Sequence, residues 1–143
     1  MTTKQLGNIG EAKALAKFVE LQIPVYIPFG DNEKADLIAE FNGKLNKIQV
    51  KTSEEWINSE KFIVDLTSST AHRKNGVKHK YDHNEIDFFA CYNLESDVLL
   101  LLPINLVEKK TTITVRYPYK DVQRNQYLQI NWKDYIFEKI CTK

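Results

Sequence analysis

Between residue 3 and about residue 21 the apolar residues Ile9, Ala12, Ala16 and Val19, with Leu15 and Phe18 beside them, recur at helical spacing. They predict an opening amphipathic helix, with Gly7 and Gly10 lowering its propensity in the first half. Pro24 and Pro28 then bracket a short extended piece at 25–27, followed by the turn-forming run Phe29-Gly30-Asp31-Asn32. Two strand-like runs, 35–41 and 44–52, flank Asn42-Gly43, the strongest short-range signal for a β-hairpin. Further strands are expected at 62–66, 86–92, 98–102 and 111–115. Of these, 88–92 and 99–102 are apolar on both faces, as strands covered on both sides must be. Asn131 is placed to cap a closing helix that carries Trp132, Tyr135, Ile136 and Ile140 inward. A helix, several strands and a closing helix without internal repetition predict an α/β layered fold.

The hairpin fixes a register. With Asn42 and Gly43 as the two central residues of a type I′ turn, Phe41 pairs with Lys44, and counting back places Asp36 opposite Gln49. Opposed residues share a face with Cβ atoms about 4.5–5.5 Å apart, and Lys51 lies two residues further along that face. Asp36, Gln49 and Lys51 are therefore expected to converge. The other face carries Ala35, Leu37, Ala39 and Phe41 opposite Ile48 and Val50, an apolar surface suited to a helix. On the opening helix Glu11 shares a stripe with Leu15 and Phe18, which aims a carboxylate inward. Two carboxylates, an amide oxygen and an ammonium are what metal-assisted phosphodiester hydrolysis asks for. An exposed cross-strand Asp–Lys diagonal is the other reading of the same spacing.

Length and charge narrow the alternatives. The 143 residues fit one domain, and 43% hydrophobic content with five Gly and four Pro excludes disorder and low-complexity architectures. The longest apolar run, 98–104, is far too short for a membrane helix, which needs about 20 residues. Lys4, Glu11, Lys13 and Lys17 interrupt the N-terminal stretch, so no secretory signal is expected and a cytoplasmic protein is. Cys91 and Cys141 show neither metal nor disulfide spacing. The net charge is only +1, yet between His72 and His83 lie Arg73, Lys74, Lys78 and Lys80 against Asp82 alone, a local +3. Such a stretch suits a loop lying along phosphates, where each cation releases a counterion; a solvated surface loop is the plainer reading. The three histidines of this segment match no closed zinc pattern.

The motif Gly7-Asn8-Ile9-Gly10-Glu11 on a helix, then Ala35-Asp36-Leu37-Ile38, then Ile48-Gln49-Val50-Lys51, resembles the PD-(D/E)-x-K nuclease superfamily in order and in hairpin placement. The first 52 residues carry the resemblance most closely, and the apolar strands through Leu102 fit the family's sheet more loosely. The resemblance implies an α/β/α sandwich around a central mixed β-sheet, the restriction-endonuclease-like core. It also implies Mg²⁺-dependent cleavage of DNA, with Mn²⁺ able to substitute. Asp36 is then the central metal ligand, Glu11 the helix-borne acid, Lys51 the catalytic lysine, and the backbone carbonyl of Val50 a further ligand. Ala35 stands where the family carries Pro, and Gln49 stands where it carries a second acid. Gln49 brings an oxygen to the catalytic and metal-binding set but no charge, so the cation must lean more on Glu11. The Gln-x-Lys variant on a short chain is similar to the homing endonucleases encoded by bacterial group I introns.

From that resemblance follow a single nuclease domain over residues 1–143, double-stranded DNA as partner, no membrane, and a basic DNA-contacting loop at about 68–84 bearing Arg73, Lys74, Lys78, His79 and Lys80. Lys109, Lys110, Arg116, Lys120 and Arg124 are further candidate contacts. One active site per chain cannot cut both strands at once, so a homo-oligomer, a dimer or a dimer of dimers, is expected. A Holliday-junction resolvase, a restriction nuclease, a catalytically inactive DNA-binding protein and a plain interaction domain are the competing functions.

Overall fold

Helix α1 (Thr3–Glu20) is opened by a reciprocal cap: Gln5 N–H donates to Thr2 Oγ1 at 3.1 Å, and Thr2 N–H donates to Gln5 Oε1 at 2.8 Å. The structure is a computed structural model and describes residues 1–30, 34–68, 78–118 and 129–141. The buried stripe of α1 is Gly10, Ala14 and Phe18, whereas Ala12, Ala16 and Val19 face solvent and Ile9 is only half-buried. This corrects the stripe expected from hydrophobic spacing. The reason is closeness, because the helix lies so near the sheet that small residues, not the most apolar ones, occupy the contact. A Cβ at position 10 would fall 1.9 Å from Thr52 Oγ1, so any larger residue there must displace the Thr52 side chain.

The strands follow as β1 (Val25–Tyr26), β2 (Leu37–Phe41), β3 (Lys44–Ser53), β4 (Lys61–Asp65), β5 (Thr67–Ser68), β6 (His79–Lys80), β7 (Phe88–Asn93), β8 (Val98–Pro103), β9 (Thr112–Arg116) and β10 (Gln129–Asn131). A short helix α2 (Ile104–Val107) follows β8, and α3 (Phe137–Cys141) closes the described chain. The central sheet runs β1-β2-β3-β7-β8; β3 and β7 are parallel and every other neighbouring pair is antiparallel. This is the mixed sheet expected. The smaller sheets are β10-β9-β4 and the two-residue ribbon β5-β6.

Alternation along β7 and β8 divides the interior in two. Ala90 and Leu101, with Leu37, Ala39, Phe41, Ile48 and Val50, pack against Ala14 and Phe18 of α1 and Phe137 of α3. Phe89, Cys91, Leu100 and Leu102 point the other way, onto Phe62 and Val64 of β4, Ile113 and Val115 of β9, and Val107 of α2. Strands covered on both faces were expected here, and both faces are covered. Burial pushes the Cys91 and Cys141 thiols up to about 12, so both remain neutral packing groups.

The C-terminal segment departs from the expected continuous helix. Asn131 does cap, its Oδ1 accepting from Lys133 N–H at 3.1 Å, but the cap opens a single 3-10 turn, Trp132–Asp134. Leu101 N–H on the edge strand β8 then donates to the Tyr135 carbonyl at 2.8 Å, and Ile136 bridges to Leu100. The edge of the sheet thus captures the backbone before α3 begins. Phe137 and Cys141 become the buried residues of α3, while Trp132, Tyr135, Ile136 and Ile140 pack only partly buried around the cores. Among the described residues no helix is long and apolar enough to cross a membrane.

Candidate active site

The hairpin has the register read from its turn. Phe41 pairs with Lys44 and Leu37 with Ile48, and Asn42 and Gly43 take φ of 54° and 73°, the positive pair that a type I′ turn requires. Asn42 also donates from Nδ2 to the Ile140 carbonyl at 3.0 Å, tying the turn to α3. Asp36, one residue before β2, continues this register. Its N–H donates to the Ile48 carbonyl at 2.8 Å, and its Oδ2 accepts from Val50 N–H at 2.9 Å. A side-chain oxygen thereby replaces a backbone rung, and the carboxylate is fixed against β3.

Glu11 lies on the solvent-facing flank of α1 as a residue, not in its buried stripe, and its carboxyl hydrogen-bonds Asp36. Partial burial, then the Asp36 charge and hydrogen bond, raise the Glu11 pKa above the ordinary glutamate value. Burial likewise raises Asp36, opposed by the Val50 N–H, the Glu11 hydrogen bond and the Lys51 ammonium. Two acids crowded in this way favour sharing a proton or a cation. Hard oxygens fit a hard divalent ion, and neutral oxygens are at hand in the Gln49 amide and the Val50 carbonyl. Gln49 Nε2 donates to that carbonyl only at a long 3.4 Å. Among the described residues no group of three or more His, Cys, Asp or Glu side chains is placed to hold a metal. A cation held here would draw its charge complement from the Glu11–Asp36 pair.

Lys51 sits on the same face of β3 as Gln49, half-buried. Its Nζ donates to the Thr67 carbonyl at 2.6 Å and lies 5.4 Å from the centre of the Tyr81 ring. Desolvation lowers its pKa from the usual lysine value, with Asp65, Asp36 and Cys91 opposing that shift in this order. Asp36 thus stands between the two other charged candidates, hydrogen-bonded to Glu11 and within electrostatic reach of Lys51, while Gln49 contacts the Val50 carbonyl.

Two neighbours escaped the sequence reading. Asp65 closes β4, and its Oδ1 accepts from Thr67 N–H at 2.9 Å and from Thr67 Oγ1 at 2.6 Å. Burial would raise the Asp65 pKa, but these bonds with Lys78 and Lys51 hold it below the usual value. Tyr81 is buried against Phe89 and hydrogen-bonds Ser68; burial raises its pKa. The Asp65-x-Thr67 spacing of a side-chain-capped turn was the signal available for the first. Nothing local marked the second.

Of the basic segment, Arg73 and Lys74 lie outside the described residues, as do Lys120 and Arg124. Lys78 reaches Asp65 Oδ2 at 3.7 Å, and Lys80 is exposed. The His79 ring is 2.6 Å from Glu85 Oε2 and edge-on to Tyr81. Lys109 and Lys110 are exposed. Arg116, expected as a DNA contact, is instead buried with Nε donating to Gln129 Oε1 at 2.9 Å, because the β9–β10 pairing brings the two side chains together.

The profile of the PD-(D/E)XK endonucleases matches residues 1–137. The chain belongs to the PD-(D/E)XK endonuclease family. Nucleases of this family generally use divalent metal ions, which agrees with the paired acids. Among solved structures the chain is similar to a bacterial homing endonuclease, I-Ssp6803I, with 25% identity and a TM-score of 0.70, covering 88% of this chain and 84% of that one. No curated protein matches the chain.

Proposed function

We propose that this endonuclease is a Mg²⁺-dependent, site-specific homing nuclease that makes double-strand breaks in DNA. The observation that carries the reading is Asp36, at the open end of the β2–β3 hairpin, with Glu11 hydrogen-bonded to it and the Lys51 ammonium within electrostatic reach. Similarity to a protein named as a homing endonuclease supports the site-specific part. In this reading Asp36 and Glu11 hold the cation, with the Val50 carbonyl and Gln49 completing its oxygen shell. When bound, Mg²⁺ would polarise the scissile phosphate and lower the pKa of an attacking water. Lys51 orients that water and offsets charge building on the phosphoryl oxygens, and it does so from a desolvated position, where a cation acts most strongly. The Val50 N–H keeps Asp36 oriented before DNA arrives.

The domain is assigned residues 1–143, and the basic loop at about 68–84 tracks the duplex. Two chains at least bring two sites to the two strands. Replacing Arg73, Lys74 and Lys78 by Ala should lower the salt slope of DNA binding by up to about 3, measured by titration across ionic strengths.

The direct test is incubation of a plasmid library with the protein and Mg²⁺, followed by sequencing of the broken ends. Cuts at one extended sequence support homing. Cleavage confined to four-way junctions of any sequence points to a resolvase. Gln49, which removes one charge from the site, favours a second reading, a DNA-binding protein without cleavage. That reading is supported if neither Mg²⁺ nor Mn²⁺ yields ends and Asp36→Ala binds DNA as the wild type does.

A further inference from the structure

The ammonium of Lys51 has a more elaborate seat than a catalytic lysine on a strand needs. Nζ reaches 2.6 Å to a backbone carbonyl, that of Thr67, across the gap between β3 and β5. That carbonyl lies just past the junction of β4 and β5, where Asp65 Oδ1 takes both the Thr67 N–H and the Thr67 hydroxyl and closes a side-chain turn. Thr67 is itself buried and pairs with Lys80 across the ribbon. Tyr81 closes the other side of the ammonium with its ring face while bonding Ser68, the next residue of the turn. A flexible four-carbon side chain is thereby given one orientation by a backbone oxygen that one carboxylate and the β5–β6 pairing hold in place.

We propose that Asp65 is a positioning residue for Lys51: by tying the turn at Thr67 it holds the carbonyl that aims the ammonium toward Asp36. The proposal rests on the catalytic role assigned to Lys51 above only for its effect on cleavage. The aiming itself is a property of the chain without DNA or metal. What matters is an acceptor oxygen at Oδ1. Asparagine keeps that oxygen and drops the charge, and alanine drops both.

The test compares the wild-type protein with Asp65→Ala and Asp65→Asn, with Lys51→Ala as control. Side-chain NMR of ¹⁵N,¹³C-lysine-labelled protein should show an ordered Lys51 Cε–Nζ group in the wild type and in Asp65→Asn, and a motionally averaged one in Asp65→Ala. On a plasmid that the wild type cuts, single-turnover cleavage should fall about 10- to 100-fold in Asp65→Ala, the loss expected for an ångström-scale misplacement. Asp65→Asn should recover most of that loss, and DNA affinity measured with Ca²⁺ should not fall in either variant, any rise being common to both because both release Lys78 from the Asp65 charge. An ordered Lys51 in Asp65→Ala overturns the proposal, whatever the protein does to DNA. So does equal damage from Ala and Asn, which would make the charge the cause. If Asp65→Ala frees Lys51 but Lys51→Ala leaves cleavage intact, the catalytic reading of Lys51 falls and the positioning role stands. Thermal unfolding of each variant separates these outcomes from loss of fold.

Discussion

The two faces of β3 do opposite things with the same backbone. On one, Ile48 and Val50 join Leu37, Ala39 and Ala90 beneath α1, and the helix comes in so closely that position 10 has no room for a Cβ. On the other, Gln49 and Lys51 interrupt the apolar layer between the central sheet and the β10-β9-β4 sheet. The gap they leave is filled by Thr67, Tyr81 and a desolvated ammonium. Period-2 alternation produces both, one residue apart. The packed face contributes stability and fixes where Glu11 and Asp36 can meet; the polar face gives up packing to hold reactive groups ready. Sites of this kind are expected to cost stability.

The sharpest way to break this comparison is at Lys51. Its replacement by Ala should lower single-turnover cleavage by about 10³-fold or more, in line with loss of a preorganised electrostatic group, while DNA affinity in Ca²⁺ stays near wild type. Lys51→Met should melt no lower than the wild type, since it removes a desolvated charge and keeps the stem; a clear fall in Tm would make Lys51 a stability residue. On the opposite face, Phe18→Ala should cost about 3–5 kcal/mol in denaturant unfolding, as for a fully buried aromatic stacked on Phe41 and tilted against Phe137. Cleavage per folded molecule should be preserved. Gly10→Ala should cost about 1–3 kcal/mol by overpacking against Thr52. Adding Thr52→Ala should recover part of this, because the nearest atom, Oγ1, disappears, leaving a Cβ contact of 3.1 Å. The smallest effect is expected at Gln49→Glu, where one added charge beside Asp36 should lower the Mg²⁺ concentration for half-maximal cleavage severalfold. No change there would place Gln49 outside the cation's shell.

How far this arrangement was legible depended on whether its contacts were local. The β2–β3 register followed from Asn42-Gly43 because turn geometry alone sets it, and with it came Asp36, Gln49 and Lys51 on one face. The α1 stripe was misread because hydrophobic spacing ranks Ile9 and Val19 above Gly10 and Ala14, whereas close approach ranks by size. The closing helix was misread because the edge of β8 competes for the Tyr135 carbonyl, a contact no local pattern announces. Asp65 and Tyr81 reach Lys51 from positions 14 and 30 residues further along the chain, so only the folded topology joins them. Arg116 shows the converse error, since a cation counted toward a surface was taken inside by Gln129.

The parallel pairing of β3 with β7 has a practical consequence for redesign. The chain must travel back across the molecule between these strands, and the β5–β6 ribbon belongs to that return path. The rungs Thr67–Lys80 and Ser68–His79 pair the residues that flank positions 69–77 in the sequence. Under the DNA-contacting role proposed for this stretch, an exchange of sequence is best spliced inside those rungs, so that the pairing beside Lys51 is left untouched.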